Sequence, residues 1–457
     1  MDKSVQFIQY RSEYKEFYYN SFSLTEDDEA IYLEYDFEIH GLTKFSPKLK
    51  ILKKNMNFKS IDTVQAKNMA FNIGMIELIS YWKSVCSPKL VIKCNYLNNE
   101  QIKFWKKLYF YGLGELFYRN NIRTTIDEFM TIECVSNKDE FEYSQIMDES
   151  DGYIVPIGGG KDSCVTLETL KINNTSNYTL IINPKPVTLK CAEIAGFDSN
   201  HIIEIYRTID SRLLELNTRG FINGHTPFSA MLAFVSYFTA YLLSKKYIAL
   251  SNENSANESN VVGEKVNHQY SKSYEFESDF EEYASKYLKA PVKYFSFLRP
   301  LNELQIAKIF SKHEKYHQIF KSCNVGSKGA EWKWCCDCAK CLFAYIMLSP
   351  FLYKEKLVNI FGEDLFEKES LLQTFIELTG NGAVKPFDCV GTFEEVNFAT
   401  TKTIMNIEKN GDELPLLLKY YKDNYGLADI SDDITKRYNQ KNNLTDEQDE
   451  MLRKEVF

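Results

Sequence analysis

The sequence predicts an α/β protein in which a doubly wound parallel sheet follows an N-terminal α+β domain and precedes a mostly helical C-terminal region. The sheet is predicted because short apolar strands alternate with helices between residues 153 and 250, an order that requires right-handed crossovers and parallel strands. A length of 457 residues is sufficient for two to four domains with a large buried core.

The elements of this α/β region follow from apolar runs that end at glycine, proline or asparagine. We predict strands at 153–157, 178–182, 201–206 and 247–250, and helices at 162–171, 185–195 and 227–245. Thr226 is the predicted N-cap of the last of these helices, with Pro227 as its first residue.

The flanking regions differ in pattern from the α/β region. The first 145 residues mix strand-like runs with a helix at 99–119, whereas the chain beyond 341 favours helices at 342–353 and 363–378 and a peripheral helical tail after 411. The predicted domains are an N-terminal α+β domain that binds substrate (1–147), a nucleotide-binding domain (148–322) and a cysteine-bearing helical region (323–457).

Charge and hydropathy limit the expected partners. The 63 acidic residues exceed the 54 basic ones, which argues against a protein that binds nucleic-acid backbones. The longest apolar run, 228–243, is shorter than the roughly 18–20 residues of a membrane span, and the charged N-terminal segment lacks the apolar stretch of a secretory signal. We therefore expect a cytoplasmic protein without nucleic-acid or membrane partners, and the oligomeric state stays open.

The most informative motif is the hexapeptide GGGKDS at 158–163, between a predicted strand and a predicted helix. Glycines let the backbone approach a phosphate, and the first N–H groups of the helix attract its charge. Lys161 adds positive charge, Ser163 adds a hydroxyl donor, and Asp162 caps the helix or meets a phosphate-bound Mg²⁺. The Walker pattern fails because Val155 occupies its first glycine position, and the dinucleotide pattern fails at Ser163. A tight turn without a ligand is the alternative.

Five of the eleven cysteines fall between residues 323 and 341, where even scatter would place about half a cysteine. The spacing of four of them suits a closed, tetrahedral and therefore structural Zn²⁺ site. Cys336 is a spare thiol or a substitute for Cys335. An iron–sulfur cluster and metal-free thiols are the alternatives. The predicted zinc ligands are Cys323, Cys335, Cys338 and Cys341.

The hexapeptide resembles the SGGxDS signature of the PP-loop (N-type) ATP pyrophosphatases, with Gly158 in place of the first serine. The resemblance implies a HUP-like sheet, ATP bound through its β and γ phosphates, and cleavage between the α and β phosphates. Similar cysteine knuckles follow the PP-loop domain of 7-cyano-7-deazaguanine synthases, where zinc staples the fold. The predicted nucleotide-binding residues are Gly158, Gly159, Gly160, Lys161, Asp162 and Ser163 in the loop, with Asn183, Asn252 and Glu253 at later strand ends.

Three further stretches, 252–255 (NENS), 267–273 (NHQYSKS) and 385–391 (KPFDCVG), extend the resemblance. Together with the loop and the WCCDCAKC segment, they resemble the ATP-dependent UDP-N-acetylmuramoyl-L-alanyl-L-glutamate epimerases of peptidoglycan synthesis. This implies conversion of the terminal L-glutamate of a UDP-linked muramoyl dipeptide to D-glutamate through an acyl-adenylate, with ATP and Mg²⁺. The candidate acid and base residues are His268, Tyr270, Lys272 and Cys389.

Each of these four residues also has an ordinary structural explanation: a polar loop, a packed ring, a lysine that neutralises phosphate, or a buried thiol. Two other functions fit the same motifs. One is a PP-loop synthase or ligase that acts on a base or nucleoside, as in the 7-cyano-7-deazaguanine synthases. The other is a zinc-stabilised module that binds ATP without turnover.

Overall fold

The computed structural model describes residues 2–136, 151–171, 176–257, 270–323, 325–326, 333–382 and 384–457. In these residues eleven strands form one sheet. The strands are β1 (Glu16–Glu26), β2 (Ala30–Ile39), β3 (Thr43–Phe45), β4 (Lys48–Leu52), β5 (Lys89–Ile92), β6 (Thr131–Cys134), β7 (Tyr153–Pro156), β8 (Tyr178–Ile182), β9 (Ile202–Thr208), β10 (Tyr247–Leu250) and β11 (Lys293–Ser296).

Helices cover the sheet and form the C-terminal region. They are α1 (Lys3–Glu13), α2 (Val64–Trp82), α3 (Asn99–Gly112), α4 (Gly114–Arg119), α5 (Lys161–Leu170), α6 (Pro186–Ile194), α7 (Ser211–Thr218), α8 (Phe228–Leu242), α9 (Tyr274–Tyr283), α10 (Glu303–Ser311), α11 (Ala339–Leu348), α12 (Lys354–Phe361), α13 (Leu372–Leu378), α14 (Phe393–Asn410), α15 (Leu416–Tyr425) and α16 (Asp446–Val456).

The sheet has a parallel half and a mixed half. Strands run in the order β11-β10-β7-β8-β9-β4-β2-β1-β5-β6, with β3 paired to β2. The first five are parallel, and β9 pairs antiparallel with β4, so strands from either side of the predicted boundary at 147 share one sheet. That boundary lies outside the described residues. The chain passes from β7 to β8 and β9 and then returns to β10 beside β7, which makes the carboxyl ends of β7 and β10 a topological switch point.

The parallel half is buried on both faces. Ile154 and Leu180 belong to one apolar core, while their neighbours Val155 and Ile181 belong to another, as the alternation of side chains along a strand requires. Helices α2, α3 and α8 cover the first core, and α5, α6, α10 and α11 cover the second. The prediction of a mixed α/β protein with a large, parallel-rich sheet and a helical C-terminal region is therefore confirmed.

Two local predictions were wrong. Thr226 does not cap α8: Pro227 takes the cap position with a non-helical ψ of 74°, and the carbonyl of Thr226 instead accepts the N–H of Phe228. The tail after 411 is not peripheral, because Leu418 and Leu452 are fully buried in the second core.

In the described part of the chain no helix has both the length and the apolar character needed to cross a bilayer.

Candidate active site

The glycine loop connects β7 to α5 at the switch point of the sheet. Gly159 adopts a φ of +79°, and a Cβ there would lie 3.2 Å from Thr188 Cγ2, so the backbone requires glycine. A Cβ on Gly158 would instead meet nothing within 4 Å. Gly160 is the N-cap of α5 and provides no side-chain cap, which leaves the first-turn N–H groups of the helix available. Such an open helix N-terminus is typical of phosphate-binding sites.

Lys161, the first residue of α5, is buried between two acids. Its ammonium group contacts both Asp162 Oδ1 and Glu303 Oε2. Burial alone lowers the pKa of Lys161, but the two carboxylates outweigh it and raise the pKa above its ordinary value. Lys161 therefore remains protonated at neutral pH. Glu303, at the start of α10, was not predicted from the sequence.

Asp162, Glu253 and Glu303 form a carboxylate cluster in which one oxygen from each lies within 4.8 Å of the others. Burial raises the pKa of Glu253, and Lys272 and Lys161 oppose that shift. Burial also raises the pKa of Glu303. The buried Glu253 and Glu303 and the half-buried Asp162 require positive charge at this distance, which Lys161 and Lys272 supply. Their oxygen atoms also fit the donor preference of Mg²⁺.

Arg299 fixes the two segments that carry Glu253 and Lys272. Its guanidinium group is fully buried and donates to the carbonyl of Glu253 at 2.6 Å and to the carbonyl of Lys272 at 2.5 Å. It also pairs with Glu277 at 3.1 Å. One side chain thus holds the end of β10 against the 3₁₀ turn at 270–272, as a rigid guanidinium fork is suited to do.

Lys272 and Cys389 form a polar pair beside the carboxylate cluster. Lys272 Nζ lies 3.1 Å from Cys389 Sγ. Burial lowers the pKa of Lys272, whereas Cys389, Glu253 and Asp162 raise it, and the net shift is upward. The structure therefore brings together Lys161, Asp162, Glu253, Lys272 and Cys389, which the sequence pattern had suggested separately.

The loop that carries Cys389 packs closely on α14 and α10. A Cβ on Gly391 would lie 2.6 Å from Glu395 Oε2 and 3.2 Å from Glu303 Cγ, so a larger residue here would displace the buried carboxylate of Glu395. Glu395 accepts the backbone N–H of Glu303 at 2.8 Å. It also accepts the hydroxyl of Thr392, at the N-terminus of α14. Gly391 and Glu395 thus position Cys389 relative to Glu303, and the sequence motif had not indicated this role.

Tyr270, another candidate acid or base, does not contact the pair of Lys272 and Cys389. The buried Tyr270 points its hydroxyl group toward Asp279 Oδ2 at 3.5 Å, and its ring centroid lies 5.3 Å from that of Tyr111. Burial, followed by the charges of Asp279 and Glu275, raises the pKa of Tyr270. His268 lies outside the described residues.

Two predicted nucleotide-binding residues lie at strand ends and already have partners. The side-chain oxygen of Asn183 accepts the backbone N–H of Arg207 at 2.8 Å, which joins the ends of β8 and β9. The side chain of Asn252 donates to Ser296 Oγ at 3.1 Å and joins the ends of β10 and β11. Both residues therefore hold the carboxyl edge of the sheet together.

The cysteine cluster consists of the four predicted zinc ligands, whose sulfur atoms all lie within 4.8 Å of one another. The Sγ distances are 3.5 Å for Cys338–Cys341, 3.8 Å for Cys335–Cys341 and 3.9 Å for Cys323–Cys338. A tetrahedral zinc site with Zn–S bonds of about 2.3 Å separates its sulfur atoms by about 3.8 Å. A multi-iron cluster, with its cysteines on different irons, would hold the sulfur atoms farther apart.

The surroundings of the cysteine cluster also fit thiolate ligands. Cys323 Sγ accepts the N–H of Gly326 at 3.1 Å and the N–H of Cys335 at 3.4 Å. Cys336 lies outside the cluster, because its Sγ faces the carbonyl of Phe361 at 3.1 Å. The cluster adjoins the glycine loop through the N–H of Lys321, which donates to the carbonyl of Gly159 at 2.9 Å.

Comparison with known proteins identifies the family. Residues 8–297 match the family model described as the MurL N-terminal domain, and residues 319–423 match the MurL C-terminal domain. Three relatives are named UDP-N-acetyl-alpha-D-muramoyl-L-alanyl-L-glutamate epimerase. The protein of a Micromonospora species is 34% identical over 69% of this chain and 70% of its own. That of Xanthomonas oryzae pv. oryzae is 32% identical over 71% of both chains, and that of Salinispora tropica is 32% identical over 71% and 70%. With both family domains matched in order, the chain belongs to the MurL family.

Proposed function

We propose that this protein inverts the α-carbon of the terminal glutamate in UDP-N-acetyl-α-D-muramoyl-L-alanyl-L-glutamate and that ATP drives the inversion. The name of the relatives, which align over about 70% of both chains, supports the substrate. The observation that carries ATP use is the open glycine loop, which lies beside a buried lysine and three acids.

The need for ATP follows from the acidity of the substrate. A proton next to an ionised carboxylate is very hard to remove, because the enolate would carry two negative charges. Attack of the carboxylate oxygen on the α-phosphorus of ATP releases pyrophosphate and forms an acyl-adenylate, which cancels one charge. A base then removes the α-proton, an acid returns one to the opposite face, and water releases AMP. Each turnover converts one ATP and one water into AMP and pyrophosphate.

The residues of the glycine loop hold the triphosphate in this proposal. The first-turn N–H groups of α5 donate to phosphate oxygens, as at other helix N-termini. Lys161 exchanges a carboxylate partner for phosphate. Its ammonium group is already buried, so phosphate binding does not require it to be desolvated further. Ser163, whose hydroxyl donates to the carbonyl of Gly160 at 2.9 Å without ligand, turns to phosphate.

Two metals belong to the proposal. The carboxylate cluster would hold Mg²⁺, which when bound neutralises phosphate charge and stabilises departing pyrophosphate. The cysteine cluster would hold Zn²⁺, which stabilises the fold around residues 321–341 and takes no part in the reaction.

Lys272 and Cys389 are the proposed acid and base groups. A thiolate next to an ammonium group at 3.1 Å is a charge-stabilised base, and its thiol form can return a proton. Tyr270 is less suited, because its hydroxyl group faces Asp279. His268 stays a candidate for the opposite face of the α-carbon.

The decisive experiment incubates the protein with ATP, Mg²⁺ and UDP-N-acetyl-α-D-muramoyl-L-alanyl-L-glutamate. We expect AMP, pyrophosphate and D-glutamate in equal amounts, with deuterium at the α-carbon of the product when the reaction runs in D₂O. Epimerisation without AMP would contradict the role of ATP. AMP formation only with an added base or nucleoside would favour the synthase alternative, and binding of ATP without products would favour the inactive module.

A second experiment tests the acid and base pair. Cys389→Ala is expected to abolish deuterium exchange at the α-carbon while leaving the affinity for a non-hydrolysable ATP analogue unchanged. Cys134→Ala, which changes a half-buried cysteine on β6, is the matched control. Full deuterium exchange at the α-carbon in Cys389→Ala would show that Cys389 is neither the acid nor the base.

A further inference from the structure

A cleft of about 760 Å³ lies beside helices α3 and α4 and the turn that follows α4. This volume is typical of small-molecule sites. The residues that line it include no aspartate or glutamate, and they combine aromatic rings with two arginines: Phe110, Tyr111, Phe117, Tyr118, Arg119 and Arg123. The site described above lies at the carboxyl edge of the parallel strands and shares no residue with this lining.

A tight reversal of the chain builds one wall of the cleft. Helix α4 ends at Arg119, and Asn121 adopts a left-handed φ of 50°. The N–H of Asn121 donates to the carbonyl of Tyr118 at 3.1 Å, and the N–H of Ile122 donates to the carbonyl of Phe117 at 2.8 Å. The chain therefore turns back after one helix, and residues from both arms of the turn line the same cleft.

The charge in the cleft favours an anion. The whole chain carries a net charge of −9, yet the lining has two arginines and no acid. Arg119 is paired with Glu115 at 2.6 Å and lies 5.1 Å from the ring centre of Phe387. Arg123 is exposed and makes neither a hydrogen bond nor an ion pair within the described residues. The guanidinium group of such an exposed arginine is suited to bind the oxygens of a phosphate or diphosphate.

Two ring contacts connect the cleft to the proposed acid and base. The ring of Tyr111 lies 5.3 Å from that of Tyr270, two residues before Lys272. The ring of Tyr118 lies 5.2 Å from that of Phe387, two residues before Cys389. A ligand in the cleft therefore contacts the rings that pack against both reacting segments.

We propose that this cleft binds the uridine diphosphate end of the substrate, an assignment that rests on the proposed function. The uracil ring stacks on the aromatic wall, and Arg119 and Arg123 bind the diphosphate. The peptide end then extends past Tyr111 and Tyr118 toward Lys272 and Cys389. The cleft thereby selects nucleotide-linked substrates over free peptides.

Calorimetric titration of the protein with UDP, with the ATP site saturated by a non-hydrolysable ATP analogue, tests the assignment. We expect UDP to bind under these conditions and Arg123→Ala to weaken it about tenfold, the loss of one charge-assisted contact. Arg123→Lys should recover part of that loss. Arg219→Ala, an exposed arginine outside the cleft, should bind UDP as the unmodified protein does.

Kinetics separate the binding role from a structural one. Arg123→Ala should raise KM for the UDP-linked substrate about tenfold with kcat unchanged, and any turnover of free L-alanyl-L-glutamate should be equal in the two proteins. Absence of UDP binding, displacement of UDP by the ATP analogue, or an unchanged KM would each overturn the assignment. Failure of the unmodified protein to epimerise would refute the proposed function. UDP binding and its loss in Arg123→Ala would still show whether the cleft binds UDP.

Discussion

The carboxylate cluster and the cysteine cluster both adjoin the glycine loop, and each brings its ligand atoms within 4.8 Å of one another. They differ in how the charge is balanced. The carboxylate cluster contains the ammonium group of Lys161. The cysteine cluster instead has backbone N–H groups, from Gly326 and Cys335, that donate to the sulfur of Cys323.

Under the proposed function, this difference would separate a Mg²⁺ site whose lysine can change partners from a Zn²⁺ site that holds its metal permanently. Buried acids with their own cation are stable without Mg²⁺, and the cation is free to move to phosphate when ATP binds. Four thiolates this close together repel one another, so in the proposed function the binding of Zn²⁺ would be coupled to folding. Loss of Mg²⁺ should therefore stop the reaction, whereas loss of Zn²⁺ should destabilise the fold.

The largest expected effect concerns Asp162, the most exposed member of the carboxylate cluster. Asp162→Ala should lower ATP consumption about a thousandfold or more, because it removes a phosphate or Mg²⁺ contact from the reacting centre. Pyrophosphate release measures the loss. The melting temperature should change little, since Lys161 keeps Glu303 as a partner. Unchanged turnover would mean that the carboxylate cluster is only structural.

Removal of the internal cation should make stability depend on Mg²⁺. Lys161→Met removes the ammonium group that contacts Asp162 and Glu303, although Lys272 stays near Glu253, and should destabilise the protein by about 3–5 kcal/mol in urea unfolding. Millimolar Mg²⁺ should restore part of this loss, although it should hardly affect the unmodified protein. Lys190→Met, which breaks an exposed pair with Glu193, should cost less than about 1 kcal/mol. If Mg²⁺ did not restore any of the stability lost in Lys161→Met, the carboxylate cluster would not be a cation site.

The cysteine cluster offers two neighbouring thiols with different expected roles. Cys338→Ser should lose zinc, measured by elemental analysis, and about 3 kcal/mol of stability, the contribution of a metal present at a hundredfold its dissociation constant. Cys336→Ser should retain one zinc per chain, because its sulfur faces Phe361. Equal zinc content in both variants, or iron in place of zinc, would refute the assignment.

What the sequence could predict was mostly local. The strands at 178–182 and 247–250 have the predicted bounds because apolar runs between turn residues are strong signals. The four ligands of the cysteine cluster fall within 19 residues, and Lys161 and Asp162 belong to one hexapeptide. These features depend on neighbours in the chain and are readable from it.

Contacts over long distances in the chain could not be predicted. Glu303 lies 142 residues from Lys161 and has the pattern of an ordinary capped helix start. Helix α2 was not predicted because it is buried nearly all round and so lacks an amphipathic period. The pairing of β4 with β9 depends on the packing of the whole sheet. The ion pair between Lys161 and Glu303 can therefore be recognised only from the three-dimensional structure.

Glu281 on α9, which belongs to neither cluster, tests whether a poorly accessible carboxylate needs a nearby cation for stability. Its side chain is 23% exposed and accepts the N–H of Tyr294, and its one ion pair within the described part of the chain is with Lys293 Nζ at 3.8 Å. Burial raises its pKa from 4.5 to about 7; Tyr294 and Lys293 oppose this shift, and Glu277 adds to it. Between these two values the folded chain holds a proton that the unfolded chain has lost, so stability falls as pH rises.

Glu281→Gln should remove that pH dependence. Because glutamine stays neutral and still accepts the N–H of Tyr294, the variant should be about 2 kcal/mol more stable than the unmodified protein at pH 8 and no more stable at pH 4. Urea unfolding at several pH values measures the difference. Glu282→Gln, at an exposed position beside it, should change stability by less than about 0.5 kcal/mol at every pH. An equal gain at pH 4 and pH 8 would show that ionisation of a weakly paired, half-buried carboxyl group does not destabilise this fold, and the contrast between the two clusters would then lose its electrostatic basis.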